Sequence, residues 1–246
     1  MRLSRIFIPE VLTVGETVVL KGQAAHYLTR VLRLSVADAV TLFNGNGEDY
    51  AGVVREVDRQ RVLISLSGKQ DPGTESPLKI KLVQAISRGE RMDYTVQKAA
   101  ELGVHSIQPL FTSRVAVRLD DKRRARRLEH WQGVVTSACE QCGRAVVPQI
   151  LEPLSLTDWL ADEDGTQHDT QRLVLDPDAG LKLSNCRISG DSVSILIGPE
   201  GGFSPDEIKQ MTAKGVTGVS LGPRIFRTES AGPAAIAVLQ VIAGDC

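Results

Sequence analysis

Two stretches of this 246-residue chain combine glycine with charge in a way that can do chemistry. The first is Ile197-Gly198-Pro199-Glu200-Gly201-Gly202-Phe203-Ser204. The second is Leu221-Gly222-Pro223-Arg224-Ile225-Phe226-Arg227-Thr228-Glu229-Ser230-Ala231-Gly232. Each follows an apolar run that reads as a strand and leads into a helical pattern. Glycines let a backbone approach a ligand closely, and ligands of open α/β sheets sit beyond the carboxyl ends of strands. Two such ends in one domain can wall a single cofactor cleft. By glycine count alone the first stretch reads equally well as an ordinary strand–helix turn. Arg227 and Glu229 are charged groups set between apolar elements; they either serve the cleft, pair with each other or cap the last helix. Neither stretch is a phosphate loop, because the Gly-Lys-Ser/Thr ending and the G-x-G-x-x-G spacing are both absent. That argues against a dehydrogenase or another nucleotide-binding α/β enzyme.

The elements that must carry these loops alternate. Lys79–Ile86, Ser106–Phe111, Leu173–Leu175, Val193–Ile197 and Val216–Leu221 read as strands, the fourth apolar almost throughout, as in a central parallel strand. Met92–Leu102, stopped by Gly103, and Arg123–Cys142 read as helices. Ser204 caps a further helix, with Pro205 at its first position and Glu207 closing a capping box. Ala231–Ile242 is the last helix, with Ala235, Val238, Leu239 and Ile242 facing the core. This alternation predicts a parallel α/β sheet. Residues 1–70 read differently. Thr17–Leu20, Ala39–Phe43, Tyr50–Val57 and Arg61–Leu66 are strands, Asn44-Gly45-Asn46-Gly47 is a turn, and Gln23–Arg33 is a helix. The turn-rich, polar residues 67–77 mark the boundary between a small β domain and the α/β domain. The acidic stretch Ala161–Thr170 is expected as an exposed loop.

The bulk composition is that of a globular protein, 42% hydrophobic and 24% charged. No apolar run approaches the roughly 18 residues needed to span a bilayer, and no signal core follows Met1, so a cytoplasmic protein with no membrane partner is expected. Net charge is −1. It is unevenly spread: +1 over residues 1–73, +5 over 74–150 and −7 over 151–246. The middle third can therefore assemble a phosphate-binding face. Cys139, Cys142, Cys186 and Cys246 are too few for a disulfide framework. Cys139-Glu-Gln-Cys142 lacks a second ligand pair, so no metal is expected.

These stretches carry a specific resemblance. The two glycine-bearing segments, Glu140-Gln141-Cys142-Gly143-Arg144 upstream of them, His26–Arg33, Arg88–Asp93 and Lys98–Gly103 together resemble the RsmE family, the 16S ribosomal RNA uracil-N3 methyltransferases of the SPOUT superfamily, along the full length and in the right order. Phe226 and Ser230 depart from the pattern, standing where a smaller aliphatic residue and a threonine are expected. The resemblance implies an α/β fold class: a small PUA-like β-barrel domain over 1–72 for RNA binding, then a SPOUT methyltransferase domain over 73–246 with a C-terminal trefoil knot. It further implies S-adenosyl-L-methionine (SAM) as cofactor, contacted by Leu175, Ile197, Gly198, Pro199, Glu200, Gly201, Gly202, Leu221, Gly222, Ile225, Phe226, Arg227, Thr228 and Ala231. A homodimer packed through the knotted domain is implied as well, with the last helix as the candidate contact.

Methylation at N3 needs the N3 proton removed or the uracil anion stabilised. On the resemblance, Arg227 is the expected anion stabiliser and Glu229 the expected base or orienting residue. Contacts to 16S ribosomal RNA or the small subunit are expected from Arg5, His26, Arg30, Arg33, Arg88, Arg91, Arg114, Arg118 and Arg144, and above all from Lys122, Arg123, Arg124, Arg126 and Arg127. That cluster reads equally as a solvated helix face, and His26 as a structural histidine. Two alternatives stand beside this reading: the same fold acting on another RNA, and a non-catalytic RNA-binding assembly factor, which would have lost the glycine-bearing loops.

Overall fold

The structure is a computed structural model that describes residues 4–58, 60–114, 121–161 and 171–246. Arg118, and residues 162–170 of the expected acidic loop, lie outside the described residues. The chain forms two compact units, Met1–Glu75 with Cys139–Val147, and Ser76–Ala138 with Pro148–Cys246.

The first unit is built on five strands, β1 (Ser4–Phe7), β2 (Thr17–Lys21), β3 (Ala39–Phe43), β4 (Asp49–Val57) and β5 (Arg61–Gln70). They lie in the order β1-β3-β4-β5-β2, with β1 parallel to β3 and the other pairs antiparallel. Alternation decides which face is buried. In β5, Val62, Ile64 and Leu66 point into a core shared with Ile6, Leu28, Leu42 and Val54. β5 runs four residues beyond the predicted Leu66, because Gly68, Lys69 and Gln70 pair with Ala51, Tyr50 and Asp49. The helix predicted over Gln23–Arg33 is split into α1 (Gly22–His26) and a π turn, Tyr27–Val31. The Thr29 hydroxyl donates back to the Ala25 carbonyl at 2.9 Å, an arrangement that bends helices, and Arg33 leaves the turn at φ 55°.

Cys139–Val147 completes this unit through polar contacts. The Phe7 amide donates to Glu140 Oε1 at 3.0 Å, and Arg5 donates to the Arg144 carbonyl at 3.1 Å. Arg144 itself donates to both oxygens of Glu75, at 3.0 and 2.5 Å. Burial pushes the Glu140 carboxyl above its ordinary range.

The second unit is a parallel sheet with helices between its strands. In chain order it comprises β6 (Lys79–Ala85), α2 (Glu90–Glu101), β7 (Ser106–Phe111), α3 (Asp121–Cys142, its end counted with the first unit), β8 (Gln149–Ile150), β9 (Leu154–Ser155), α4 (Leu156–Ala161), β10 (Gln171–Leu175), β11 (Ser192–Ile197), α5 (Pro205–Ala213), β12 (Thr217–Val219) and α6 (Thr228–Ala243). The strand order is β12-β10-β11-β6-β7-β8, with β9 also on β7, and every pairing is parallel. Ile80, Leu82, Val83, Leu173, Val193, Ile195 and Leu196 are buried, as central strands covered on both faces require. The last helix begins at Thr228, three residues before the apolar pattern at Ala231, because its first turn is polar. The short elements β1, β8, β9 and α4 carry too little periodicity to stand out in the sequence.

Candidate active site

Because β10, β11 and β12 run parallel, their carboxyl ends share one edge of the sheet. Beyond that edge opens a cleft of ≈ 890 Å³. Its walls are Leu175 to Asp178 after β10, the Ile197–Phe203 segment after β11, and the loop from Leu221 to the start of α6. Of the fourteen residues expected at a cofactor, all but Gly201 line this cleft, together with Glu229. Gly201 sits in the same loop, its carbonyl held by Arg114 Nη1 at 2.7 Å.

Several local devices hold the first wall. Gly198 is tightly enclosed: a Cβ there would lie 3.2 Å from the Phe203 ring and amide nitrogen and 3.3 Å from the Gly202 Cα. Gly222 turns the second wall at φ 101°, in the left-handed region. Downstream, Ser204 and Glu207 form the predicted capping box. Glu207 also accepts from the Ser113 amide at 2.7 Å, which ties the start of α5 to the chain after β7. Burial alone would push the Glu207 carboxyl up, but the amides of Ser113 and Ser204 hold it below its ordinary value.

Arg227 and Glu229 neither pair with each other nor cap α6 with the arginine side chain. Arg227 is the N-cap residue, exposed, and makes no side-chain cap bond. Glu229, mostly buried, lies 3.9 Å from Arg91 Nε. Arg91 also reaches Glu200, Nη1 to Oε1, at 2.7 Å. Burial would push the Glu200 carboxyl up, yet hydrogen bonds from its own backbone amide, Arg91 and the Arg88 amide hold it below its ordinary value. One guanidinium thus bridges carboxylates on both walls of the cleft. Sequence reasoning missed this role of Arg91 and the loop-holding role of Arg114, because the spacing of an arginine does not reveal a partner about a hundred residues away. Among the described residues no group of three or more His, Cys, Asp or Glu side chains could hold a metal ion, and no helix is long and apolar enough to cross a membrane.

Comparison with known proteins assigns this architecture. Residues 74–240 match the family model of an RNA methyltransferase domain, and residues 20–67 match that of an RNA methyltransferase PUA domain. The chain is 34% identical over 244 residues to the ribosomal RNA small subunit methyltransferase E of Buchnera aphidicola subsp. Schizaphis graminum, covering 99% of this chain and 98% of the relative. The chain belongs to the ribosomal RNA small subunit methyltransferase E family. It is therefore an RNA methyltransferase, with a PUA-like first unit and a parallel α/β second unit. Among solved structures, it superposes on the family member from Neisseria gonorrhoeae bound to S-adenosyl methionine with a TM-score of 0.92, at 37% identity and 99% coverage of both chains. A Legionella pneumophila protein solved with bound SAM gives 0.94, at 36% identity and full coverage of both chains.

The residues expected to touch RNA are placed unequally. His26, Arg30 and Arg33 are exposed on the helical turn of the first unit. Arg88, Arg91 and Arg114 are exposed near the methyltransferase cleft; Lys122, Arg123 and Arg126 are exposed, and Arg124 and Arg127 partly exposed, on α3. Arg5 and Arg144 are different, and the expectation for them is corrected. Arg5 pairs with Asp49 in the interior of the first unit. Arg144 is 4% exposed and engaged at two nitrogens by Glu75, so neither offers an edge to a phosphate. Losing the guanidinium takes both charge-assisted hydrogen bonds from Glu75, whose own side chain is 34% exposed and stays in contact with water. Arg144→Ala is expected to destabilise the first unit by about 2 kcal/mol, read in urea unfolding, with RNA affinity falling only as folded protein is lost.

Proposed function

We propose that this enzyme transfers a methyl group from SAM to N3 of a uridine in the 16S ribosomal RNA of the small subunit. The observation that carries the reading is the ≈ 890 Å³ cleft at the carboxyl edge of the parallel sheet, walled by two glycine-bearing loops and lined by Arg227 and Glu229. The fit to SAM rests on the cleft itself. Apolar Leu175, Ile197 and Ile225 suit an adenine, and backbone close to the space suits a cofactor held by N–H and C=O groups. Carboxylates and guanidiniums of both walls suit a sulfonium and an amino-acid zwitterion. When bound, SAM supplies an electrophilic methyl group.

The chain's own groups do the rest. N3 of uracil carries a proton and is a weak nucleophile until that proton leaves. The Glu229 carboxylate accepts the proton or orients the base, and the Arg227 guanidinium donates to a uracil carbonyl as negative charge grows on it. Arg91, holding Glu200 and Glu229 together, keeps the proton acceptor on the cleft side of α6. The target base must leave its stack, at an expense of a few kcal/mol, which RNA contacts offset. His26, Arg30 and Arg33 in the PUA-like unit supply them, with Arg88, Arg91, Arg114, Lys122, Arg123, Arg124, Arg126 and Arg127 in the second unit. The trefoil knot, cytoplasmic location and homodimer belong to the same reading. Val241, two-thirds exposed on the apolar helix α6, supports the dimer.

Nucleoside mass spectrometry on unmethylated small subunits, incubated with protein and SAM, tests the proposal. New 3-methyluridine is the expected result. Cofactor binding without any methylated nucleoside would overturn the assigned RNA, and no cofactor binding would overturn the enzymatic reading. Affinity for the RNA is expected to fall steeply with salt, with a log–log slope close to the number of phosphates contacted. A flat response would remove the basic residues from the interface.

A further inference from the structure

Gln84 is a polar side chain with no exposed surface, one residue before the carboxyl end of β6. It stands in register with Ile197 of β11 on one side and Pro109 of β7 on the other. Burying an amide is costly, and the hydrogen bonds it makes offset that cost. Its Nε2 donates to the Ala85 carbonyl at 3.1 Å and to Thr228 Oγ1 at 3.0 Å. Thr228, 5% exposed, donates its hydroxyl proton to the Gly198 carbonyl at 2.7 Å.

The direction of this chain follows from chemistry. A carbonyl can only accept, so the hydroxyl must donate to Gly198. The hydroxyl oxygen then has lone pairs to offer, and Gln84 must present its NH₂ group. That settles which end of the amide faces Thr228. The Gln84 oxygen is left facing Gly232, where a Cβ would approach it to 3.1 Å, and it has no hydrogen-bond partner. The amide is therefore held by what its nitrogen does.

We infer that Gln84 and Thr228 form a positioning relay that locks the loop after β11 to the start of α6. Thr228 lies between Arg227 and Glu229, and Gly198 opens the other wall of the cleft. One hydroxyl therefore sets both proposed catalytic groups against the loop proposed to hold the cofactor; the inference rests on that functional reading. Neither residue needs to touch the reacting atoms. A shift of about 1 Å at such a joint can lower turnover about 100-fold.

Three variants test the relay. Thr228→Val keeps the shape and removes the hydroxyl, Thr228→Ser keeps the hydroxyl, and Gln84→Leu removes the amide but leaves the hydroxyl able to reach Gly198. The readouts are kcat, SAM affinity by calorimetry, melting temperature, and amide hydrogen exchange across 198–202 and 227–231. Thr228→Val is expected to lower kcat by about 10- to 100-fold and to speed exchange in those two segments, while exchange in β6 and β11 stays slow. Thr228→Ser returns both readouts close to wild type, and Gln84→Leu falls between. Wild-type turnover and exchange in Thr228→Val would overturn the relay, as would a serine variant as impaired as the valine. If the wild-type chain binds no SAM, the functional reading fails, and the exchange comparison still decides the relay by itself.

Discussion

Arg227→Ala is expected to lower kcat by about 10²–10³-fold while leaving SAM affinity nearly unchanged. The reasoning is differential binding. A guanidinium aimed at a uracil carbonyl gains most when that carbonyl carries negative charge, so its loss is felt in the transition state and little in the ground state. The geometry suits this division. Arg227 lines the cleft, is exposed and makes no side-chain cap bond, so its removal disturbs no structural bond of the helix. Arg227→Lys should recover only part of the loss, because an ammonium cannot match the planar fork of a guanidinium. Single-turnover kinetics at saturating SAM and RNA, with calorimetry for the cofactor, check the split. An unchanged kcat would remove Arg227 from the chemistry. A raised dissociation constant for SAM with kcat intact would make it a cofactor contact instead. Glu229→Gln should also lower kcat, since an amide cannot take the proton.

The second large effect is steric. Gly198→Ala should weaken SAM binding by about 10- to 100-fold with the fold intact. A methyl there meets the Phe203 amide nitrogen at 3.2 Å and the Gly202 Cα at 3.3 Å. Both are backbone atoms, so the loop backbone itself must give by a few tenths of an ångström. The Phe203 ring is the only flexible neighbour among these contacts, and it is packed against the core that includes Leu196 and Met211. Movement of the loop would also strain the Thr228 bond to the Gly198 carbonyl. Calorimetric titration with SAM measures the loss. Wild-type affinity would mean that the loop takes no part in holding the cofactor.

Much of this architecture was legible before any coordinates, and the reasons are local. β11 is a run of apolar residues, the loop after it is dense in glycine, and Ser204, Pro205 and Glu207 announce a helix within four residues. All of those signals lie within a few positions of each other. What escaped the sequence depends on partners far apart in the chain. Nothing near Gln84 announces Thr228, 144 positions away. Arg144 looked like one more cation in a basic third of the chain, and only its fold partner Glu75 reveals a buried guanidinium held by a carboxylate. Arg91 and Arg114 looked alike for the same reason, although each holds the 200–203 loop. The split of the Gln23–Arg33 helix was hidden differently: its apolar spacing suits an α-helix, and the wider turn at Tyr27–Val31 arises from backbone bonds that spacing does not encode.

The segment Cys139–Val147, counted with the first unit, has a consequence for how the protein is made. A ribosome delivers the chain from its N-terminus, at about 5–20 residues per second. The five strands of the PUA-like sheet are all out once Gln70 has emerged. The Phe7 amide, the Arg5 guanidinium and the Glu75 carboxylate must then wait roughly 4–15 s for Glu140 and Arg144 to follow. The nascent domain spends that interval with one edge unfinished, open to chaperones or to proteolysis. A recombinant fragment ending near residue 72 would be caught in the same state permanently.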